Sequence, residues 1–376
     1  MYFAPTVLTS DERSLQIAVR AFLKDERKRH WKRSTSFGDC NREFSRRLAA
    51  QGWVGMSIPT EFGGHGGTAV DRFVVATELL ALGAPVSAHW IADRQTAPSI
   101  LKFGTTEQKQ RFLPAIARGE CTFCIGMSEP DSGSDLASIR TSAWRVEGGW
   151  RLTGTKVWTS GAHDADFILV LCRTSSLGEN RHEGMSQLIL DLASPGVTIN
   201  PIISMNGGHH FNEVVFDEVF VPDELMLGDE GEGWRQVNSE LAYERSGPDR
   251  WLSTYGVFRA FVDASTEVPS DALSNAIGRI SARYRTLHNL SLSVARMIDQ
   301  GSAPAAEAAL VKDLGTVFEK QVVETVRDLA GLVPDTAASE TDAGILAAAV
   351  LSLPALTIRG GTTEILRGAA AKELLR

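Results

Sequence analysis

Apolar positions in the first third of the chain recur at helical spacing. The run that opens at Thr9-Ser10-Asp11-Glu12 and reaches about Lys28 predicts an amphipathic helix with Ser10 as its N-cap. A second helix is expected over residues 41–51, stopped by Gly52. Others are expected over Ala69–Ala81 and Thr106–Ala117, and Pro114 inside the last predicts a bend or an end. Near Cys121 the pattern changes. From there to about Pro222, short β-rich runs alternate with turns, at 143–146, 150–152, 167–172, 186–192 and 214–219. Glu147-Gly148-Gly149, between the first two runs, is a hairpin signal. From about Gly233 the helical period returns, over 236–243, 251–262, 272–298, 303–330 and 343–351, with Pro269, Gly301 and Pro334 at the breaks. This α–β–α order predicts a helical domain over 1–120, a middle β domain over 121–230 and a helical bundle over 231–376.

Composition narrows the class. A chain of 376 residues is long enough for two or three domains. A net charge of -8 and the lack of a basic run with interleaved aromatics argue against nucleic acid as a partner. No stretch of roughly 18 apolar residues is present, so no membrane span is expected. Charge at Asp11, Glu12 and Arg13, with no long apolar run before it, predicts no signal peptide. The four cysteines do not make a disulfide framework and suit a reducing, cytoplasmic location. Cys121-Thr122-Phe123-Cys124 is a lone C-x-x-C. It reads either as a metal or redox pair or, the better reading, as two small apolar residues in a strand. His209-His210 lacks a third metal ligand at a sensible spacing and reads as a polar loop pair. Gly63-Gly64-His65-Gly66-Gly67 is a loop able to take positive φ, with no strand before it and no Lys-Ser/Thr after it to make a phosphate loop. Trp90, Trp251 and Tyr255 are bulky residues that a pocket would use, in directions the sequence leaves open.

Three segments carry candidate chemistry. The first, Gly126-Met127-Ser128-Glu129-Pro130-Asp131-Ser132-Gly133-Ser134-Asp135-Leu136-Ala137, is rich in glycine and small hydroxyls, which let backbone and Ser oxygens approach a flat ligand. The second, Leu152-Thr153-Gly154-Thr155-Lys156-Val157-Trp158-Thr159-Ser160-Gly161-Ala162, places a large aromatic face two residues before a hydroxyl. The third is Phe216-Asp217-Glu218-Val219-Phe220-Val221-Pro222, followed by Gly228 to Gly233 and Trp234.

In this order and spacing the three segments resemble the acyl-CoA dehydrogenase family, whose S/T-E-P-x-x-G-S-D and G-x-K-x-W-x-T/S motifs they match. The resemblance implies an α+β multidomain fold: an N-terminal helical domain, a middle β-barrel or sandwich domain, and a C-terminal four-helix bundle. It implies FAD as cofactor. Ile125, Met127 and Ser128 would lie along the flavin ring, Trp158 would cover its face, Ser160 would meet it near N5, and Thr159 would also contact the cofactor. Ser134 would touch both cofactor and the pantetheine arm of the substrate, and Thr362 and Glu364 would belong to a cofactor-contacting turn. Such contacts tune where charge settles as hydride arrives. The implied reaction is α,β-dehydrogenation of an acyl thioester, with acyl-CoA or another thioester as substrate and an electron-transfer flavoprotein or similar acceptor as partner.

An α-C–H beside a thioester is a weak acid, so its removal needs a nearby carboxylate and donors on the carbonyl oxygen. Most of the family carries that carboxylate in a C-terminal Y-E-G-T motif. Here the matching text is Arg359-Gly360-Gly361-Thr362, and Gly360 cannot act as a base. A minority carries the base directly before an arginine early in the bundle, and here that text is Leu241-Ala242-Tyr243-Glu244-Arg245. The resemblance therefore points to Glu244 as base, to the Gly360 N–H as a donor to the thioester carbonyl, and to Arg245 and Gly361 as substrate contacts.

Other positions depart from the family. Its R-x-x-F-G segment, which reaches a neighbouring subunit's FAD pyrophosphate, is missing from residues 271–287. Its Q-x-x-G-G appears as Arg327-Asp328-Leu329-Ala330-Gly331, and its aspartate before the helix arginine is Ala242. A pyrophosphate needs donors or cations from somewhere. An α2β2 hetero-oligomer or a homo-oligomer with altered FAD contacts would answer that need. Two alternatives to the dehydrogenase remain: a flavin monooxygenase or oxidase on the same scaffold, and a non-catalytic partner subunit.

Overall fold

A computed structural model describes residues 1–29, 40–176, 178–265, 270–338 and 341–374, without the side chains of residues 29, 240–244, 373 and 374. Pro269 lies outside the described residues. In chain order the helices are α1 (Ser10–Glu26), α2 (Arg42–Ala49), α3 (Ala69–Ala81), α4 (Ser87–Ile91), α5 (Ala97–Phe103), α6 (Thr106–Ala117), α7 (Gly233–Glu244), α8 (Tyr255–Ser265), α9 (Asp271–Asp299), α10 (Ala305–Leu329), α11 (Asp342–Leu356) and α12 (Thr363–Leu374). The strands are β1 (Phe123–Gly126), β2 (Ser142–Val146), β3 (Gly149–Ser160), β4 (Phe167–Arg173), β5 (Met185–Asp191), β6 (Val197–Ile203), β7 (His209–Pro222) and β8 (Met226–Leu227). N-terminal helices, a middle β domain and C-terminal helices are the architecture expected.

The chain gathers into two compact units. One joins Cys40–Gly67 with Val86–Leu241; the other joins Met1–Asp39, Thr68–Pro85 and Ala242–Arg376. Segments of the N-terminal helical stretch therefore belong to both.

In the sheet-bearing unit, the described strands run β6-β7-β3-β2-β4-β5-β8, with β1 parallel to β4. The hairpin signal is met: Val146 pairs with Gly149, and Gly148 takes the positive φ of +72° that the turn demands. Apolar residues of β1, β3, β4, β5 and β7 form the core with Ile100, Phe112 and Leu113 of the helices. Pro114 does not end α6, which runs three residues further. Strand β6, outside the expected runs, is an edge strand with Pro201 inside it, the kind of strand that tolerates a proline. Residues 86–105 also carry no clear period, because a π-turn at Ala92–Thr96 separates α4 from α5 and buries Asp93, Arg94 and Thr96. Asp93 accepts the Gly55 N–H at 2.7 Å.

In the helical unit, α3, α8, α9, α10 and α11 pack around Trp251, Tyr284 and Phe318. The cap of α1 is Thr9, one residue before the expected Ser10. Its hydroxyl accepts the Glu12 N–H while the Glu12 carboxylate accepts the Thr9 N–H, a closed box that Ser10 cannot form. The helix expected to begin at Trp251 begins at Tyr255 instead, after a short 3-10 turn at Pro248–Arg250. Trp251 is 2% exposed and its indole N–H donates to Ser291 Oγ at 2.9 Å, so it is a core residue. The last helix, α12, has too short an apolar stripe to announce itself.

Candidate active site

The first two motifs meet in the sheet-bearing unit. Motif one leaves the end of β1 and motif two is the C-terminal half of β3. Lys156, fully buried, donates to the Met127 carbonyl at 3.0 Å and to Glu129 Oε1 at 2.7 Å. Glu129 in turn accepts the N–H groups of Arg140 and Thr141 at 2.7 and 3.0 Å. The Val157 N–H donates to the Ser128 carbonyl at 2.9 Å. Burial pushes the Glu129 carboxyl up, but the Lys156 charge and hydrogen bond, with the Arg140 N–H, outweigh it and hold the group below the usual carboxylate range. For Lys156 burial lowers the ammonium and Glu129 opposes that. Gly126 leaves the space this needs: a Cβ there would stand 3.0 Å from Lys156 Cγ.

The stitch aims Trp158. Lys156 pairs with Val214 and Thr159 with Asn212, so Val157 and Trp158 together oppose Glu213 alone. This β-bulge carries one extra residue, and Trp158 absorbs it with a φ of +59°. A bulky residue with positive φ costs about 1–2 kcal/mol. Trp158 is nevertheless 59% exposed, touching Phe211 edge-on at 5.8 Å. A strained aromatic that buries little has no purpose in the fold by itself. Ile125, Met127, Ser128 and Ser160 are half-buried, and Ser134 is exposed. Thr159 is turned inward, its hydroxyl without a partner among the described residues. A bare indole face with half-open apolar and hydroxyl groups is the donor set a flat, polar-edged ring such as a flavin requires.

A second group of candidate residues belongs to the helical unit. Glu244 closes α7, and its side chain lies outside what is described. The next residue, Arg245, donates from Nε to the Gly360 carbonyl at 3.3 Å. The Arg359-Gly360-Gly361-Thr362 turn links α11 to α12, with φ of +68° at Gly360 and +97° at Gly361. Thr362 immediately precedes α12, its carbonyl accepting the Leu366 N–H at 3.1 Å. Glu364, exposed in the first turn, has its carboxyl held below the ordinary range by its own backbone N–H and the Thr362 hydroxyl.

Of the residues that hold this turn, the sequence did not single out Lys312, Ser253 or Glu319. Lys312, fully buried on α10, donates to the carbonyls of Thr357 at 2.8 Å and Gly361 at 2.6 Å. Arg359 donates from Nη2 to the Asp249 carbonyl, Ser253 Oγ and Glu319 Oε2 at 2.7, 2.6 and 3.1 Å. Burial raises the Glu319 carboxyl in spite of Arg359 and the Ser253 N–H. The available signal was a Lys and a Glu standing seven residues apart in α10 on its apolar stripe.

The remaining candidates are structural. Cys121 and Cys124 are free and buried, and burial pushes the Cys121 thiol up to about 12. No group of three metal-ligating side chains occurs among the described residues. His209-His210 opens β7 and is not a loop pair: His209 stacks on His163 at 3.8 Å, and its Nε2 lies 2.7 Å from Asn212 Oδ1. No described helix is long and apolar enough to cross a membrane.

Comparison with known proteins identifies the family. The family models for the acyl-CoA dehydrogenase N-terminal, middle and C-terminal domains match residues 9–120, 124–219 and 231–375. Acyl-CoA dehydrogenase FadE29 of Mycobacterium tuberculosis is 32% identical over 96% of this chain and 95% of its own. Acyl-CoA dehydrogenase FadE34 of the same organism is 34% identical over 87% of this chain and 45% of its own. Among solved structures, the Tcur3481-Tcur3483 steroid ACAD superposes with a TM-score of 0.87 at 26% identity, covering 98% of both chains. The ChsE4-ChsE5 complex from Mycobacterium tuberculosis gives 0.84 at 27%, covering 99% of both. The chain belongs to the acyl-CoA dehydrogenase family. It is thereby an oxidoreductase of the FAD-dependent class that dehydrogenates acyl-CoA thioesters.

Proposed function

We propose that Glu244 is the base of this enzyme and that Gly360 supplies a backbone donor to the thioester carbonyl. The observation that carries the reading is the 3.3 Å bond from Arg245 to the Gly360 carbonyl, which ties the residue after Glu244 to the position where the commoner base would stand. A glycine there leaves room for a carboxylate arriving from the end of α7. Glu244 takes the α-proton, and the Gly360 N–H donates to the oxygen on which the enolate charge develops, a kind of contact whose loss costs roughly 10²–10³ in rate. FAD, when bound, supplies the two-electron acceptor for the β-hydride, so that the product is the 2,3-enoyl thioester. Ile125, Met127, Ser128, Trp158, Thr159, Ser160, Thr362 and Glu364 hold the cofactor; Ser134, Arg245 and Gly361 hold the thioester arm. Electrons leave to an external acceptor such as an electron-transfer flavoprotein.

We also propose that the working particle is an oligomer, an α2β2 pairing with an unlike subunit being favoured. Residues 271–287 lack the family's cross-subunit pyrophosphate segment, and one similar structure is itself a ChsE4-ChsE5 complex. The steroid ACAD likeness makes bulky, polycyclic acyl-CoA thioesters the first substrates to try. Anaerobic titration with steroid-side-chain and straight-chain acyl-CoAs, following flavin absorbance, tests the reading. Bleaching in wild type that disappears in Glu244→Gln supports it; bleaching kept by the mutant refutes the base assignment.

A further inference from the structure

The turn that carries Gly360 has no side chain of its own at two successive positions, and glycine is the residue with the most backbone freedom. An N–H that stabilises an enolate works only if it is already aimed before the charge develops. Something outside the turn must therefore hold it. Three contacts do so. Arg245 holds the Gly360 carbonyl, Arg359 is tied to Glu319 and Ser253, and Lys312 bridges the carbonyls of Thr357 and Gly361. The Lys312 bridge spans the whole turn. Its ammonium is fully buried, a placement that costs several kcal/mol before its contacts are counted. A fold that only needed to fill that space would do so with a methionine or a leucine.

We infer that Lys312 is a positioning residue for thioester enolisation: by fixing the peptide planes at both ends of the Thr357–Gly361 turn, it keeps the Gly360 N–H aimed at the substrate carbonyl. The inference rests on Gly360 being the carbonyl donor. Lys312 acts through the backbone and touches no reacting atom.

The test uses flavin-loaded enzyme, with its partner subunit if it needs one, as wild type, Lys312→Met, Lys312→Arg and Glu244→Gln. Hydrogen–deuterium exchange over residues 357–362 reads the positioning. Acetoacetyl-CoA, whose α-proton is already acidic and whose acyl group is small, reads the consequence through the pH midpoint of the long-wavelength band that its enolate gives beside oxidised flavin. In Lys312→Met the turn amides exchange about tenfold faster and the midpoint rises by about one pH unit, a tenfold loss equal to about 1.4 kcal/mol. Lys312→Arg recovers most of both. A general loss of stability lowers yield and flavin content but does not move the midpoint of the loaded fraction. Unchanged exchange or an unchanged midpoint in Lys312→Met overturns the inference. A wild type without the band counts against Gly360 as the carbonyl donor, and the exchange result then decides the Lys312 bridge alone; the Glu244 assignment stands or falls separately, on flavin bleaching by saturated acyl-CoAs in Glu244→Gln. If Lys312→Met is recovered without flavin, Lys312→Gln, which retains one donor, is read in the same way.

Discussion

Lys156 Nζ stands 2.7 Å from Glu129 Oε1, with both side chains buried, and this pair is the ionic contact between the two motifs on which the flavin reading depends. Removing either partner leaves an uncompensated buried charge, which costs about 3–5 kcal/mol. Lys156→Met and Glu129→Gln are each expected to destabilise by that order in urea unfolding and to lower flavin content. The double variant removes both charges and is expected to recover part of the stability without recovering flavin.

The same pair sets an acid limit. The folded Glu129 carboxyl lies below its unfolded value of about 4.3, so its stabilisation is complete above that pH and drains away as the pH falls through the lower folded value. Urea midpoints measured from pH 6 down to 3.5 are expected to fall more steeply for wild type than for Glu129→Gln, which has no carboxylate to protonate. Equal slopes would show that other carboxylates dominate.

Trp158 offers a separation of fold from cofactor. Its side chain buries little and its backbone is strained. Trp158→Gly relieves a φ that only glycine adopts freely, so the flavin-free protein should melt at the same temperature or higher. Flavin affinity should fall about tenfold or more with the loss of a large aromatic contact. A drop in both would make Trp158 a folding residue.

Glu244→Gln should retain flavin and fold normally while its rate of flavin bleaching falls on the order of 10²–10⁴-fold, the usual worth of a general base. Stopped-flow absorbance under anaerobic conditions measures it.

Gly361→Ala tests the turn. Its Cβ would meet Arg245 Nη2 at 3.5 Å, an ordinary contact, so the cost is the φ of +97°, about 1–3 kcal/mol. Thermal unfolding should show that loss, with substrate affinity weakened beyond it.

Much of this protein is legible before any coordinates. Period alone separates helical from β-rich stretches and places α3 and α6, because their apolar stripes are long and their caps are local. The motif residues around Ser128 and Trp158, and the exchange of a carboxylate at 360 for one at 244, are written in the order of residues. What the sequence could not decide depends on residues far apart in the chain. That Lys156 ends against Glu129 follows from β1 and β3 converging, and that Trp158 faces outward follows from a bulge counted against β7. That Lys312 and Glu319 reach the turn after α11 follows from packing of α10, since a charge on an apolar stripe has meaning only once its partner is in place. Local order specified the elements and nominated the candidate reactive groups; only the tertiary fold brought the buried charges beside them to their partners.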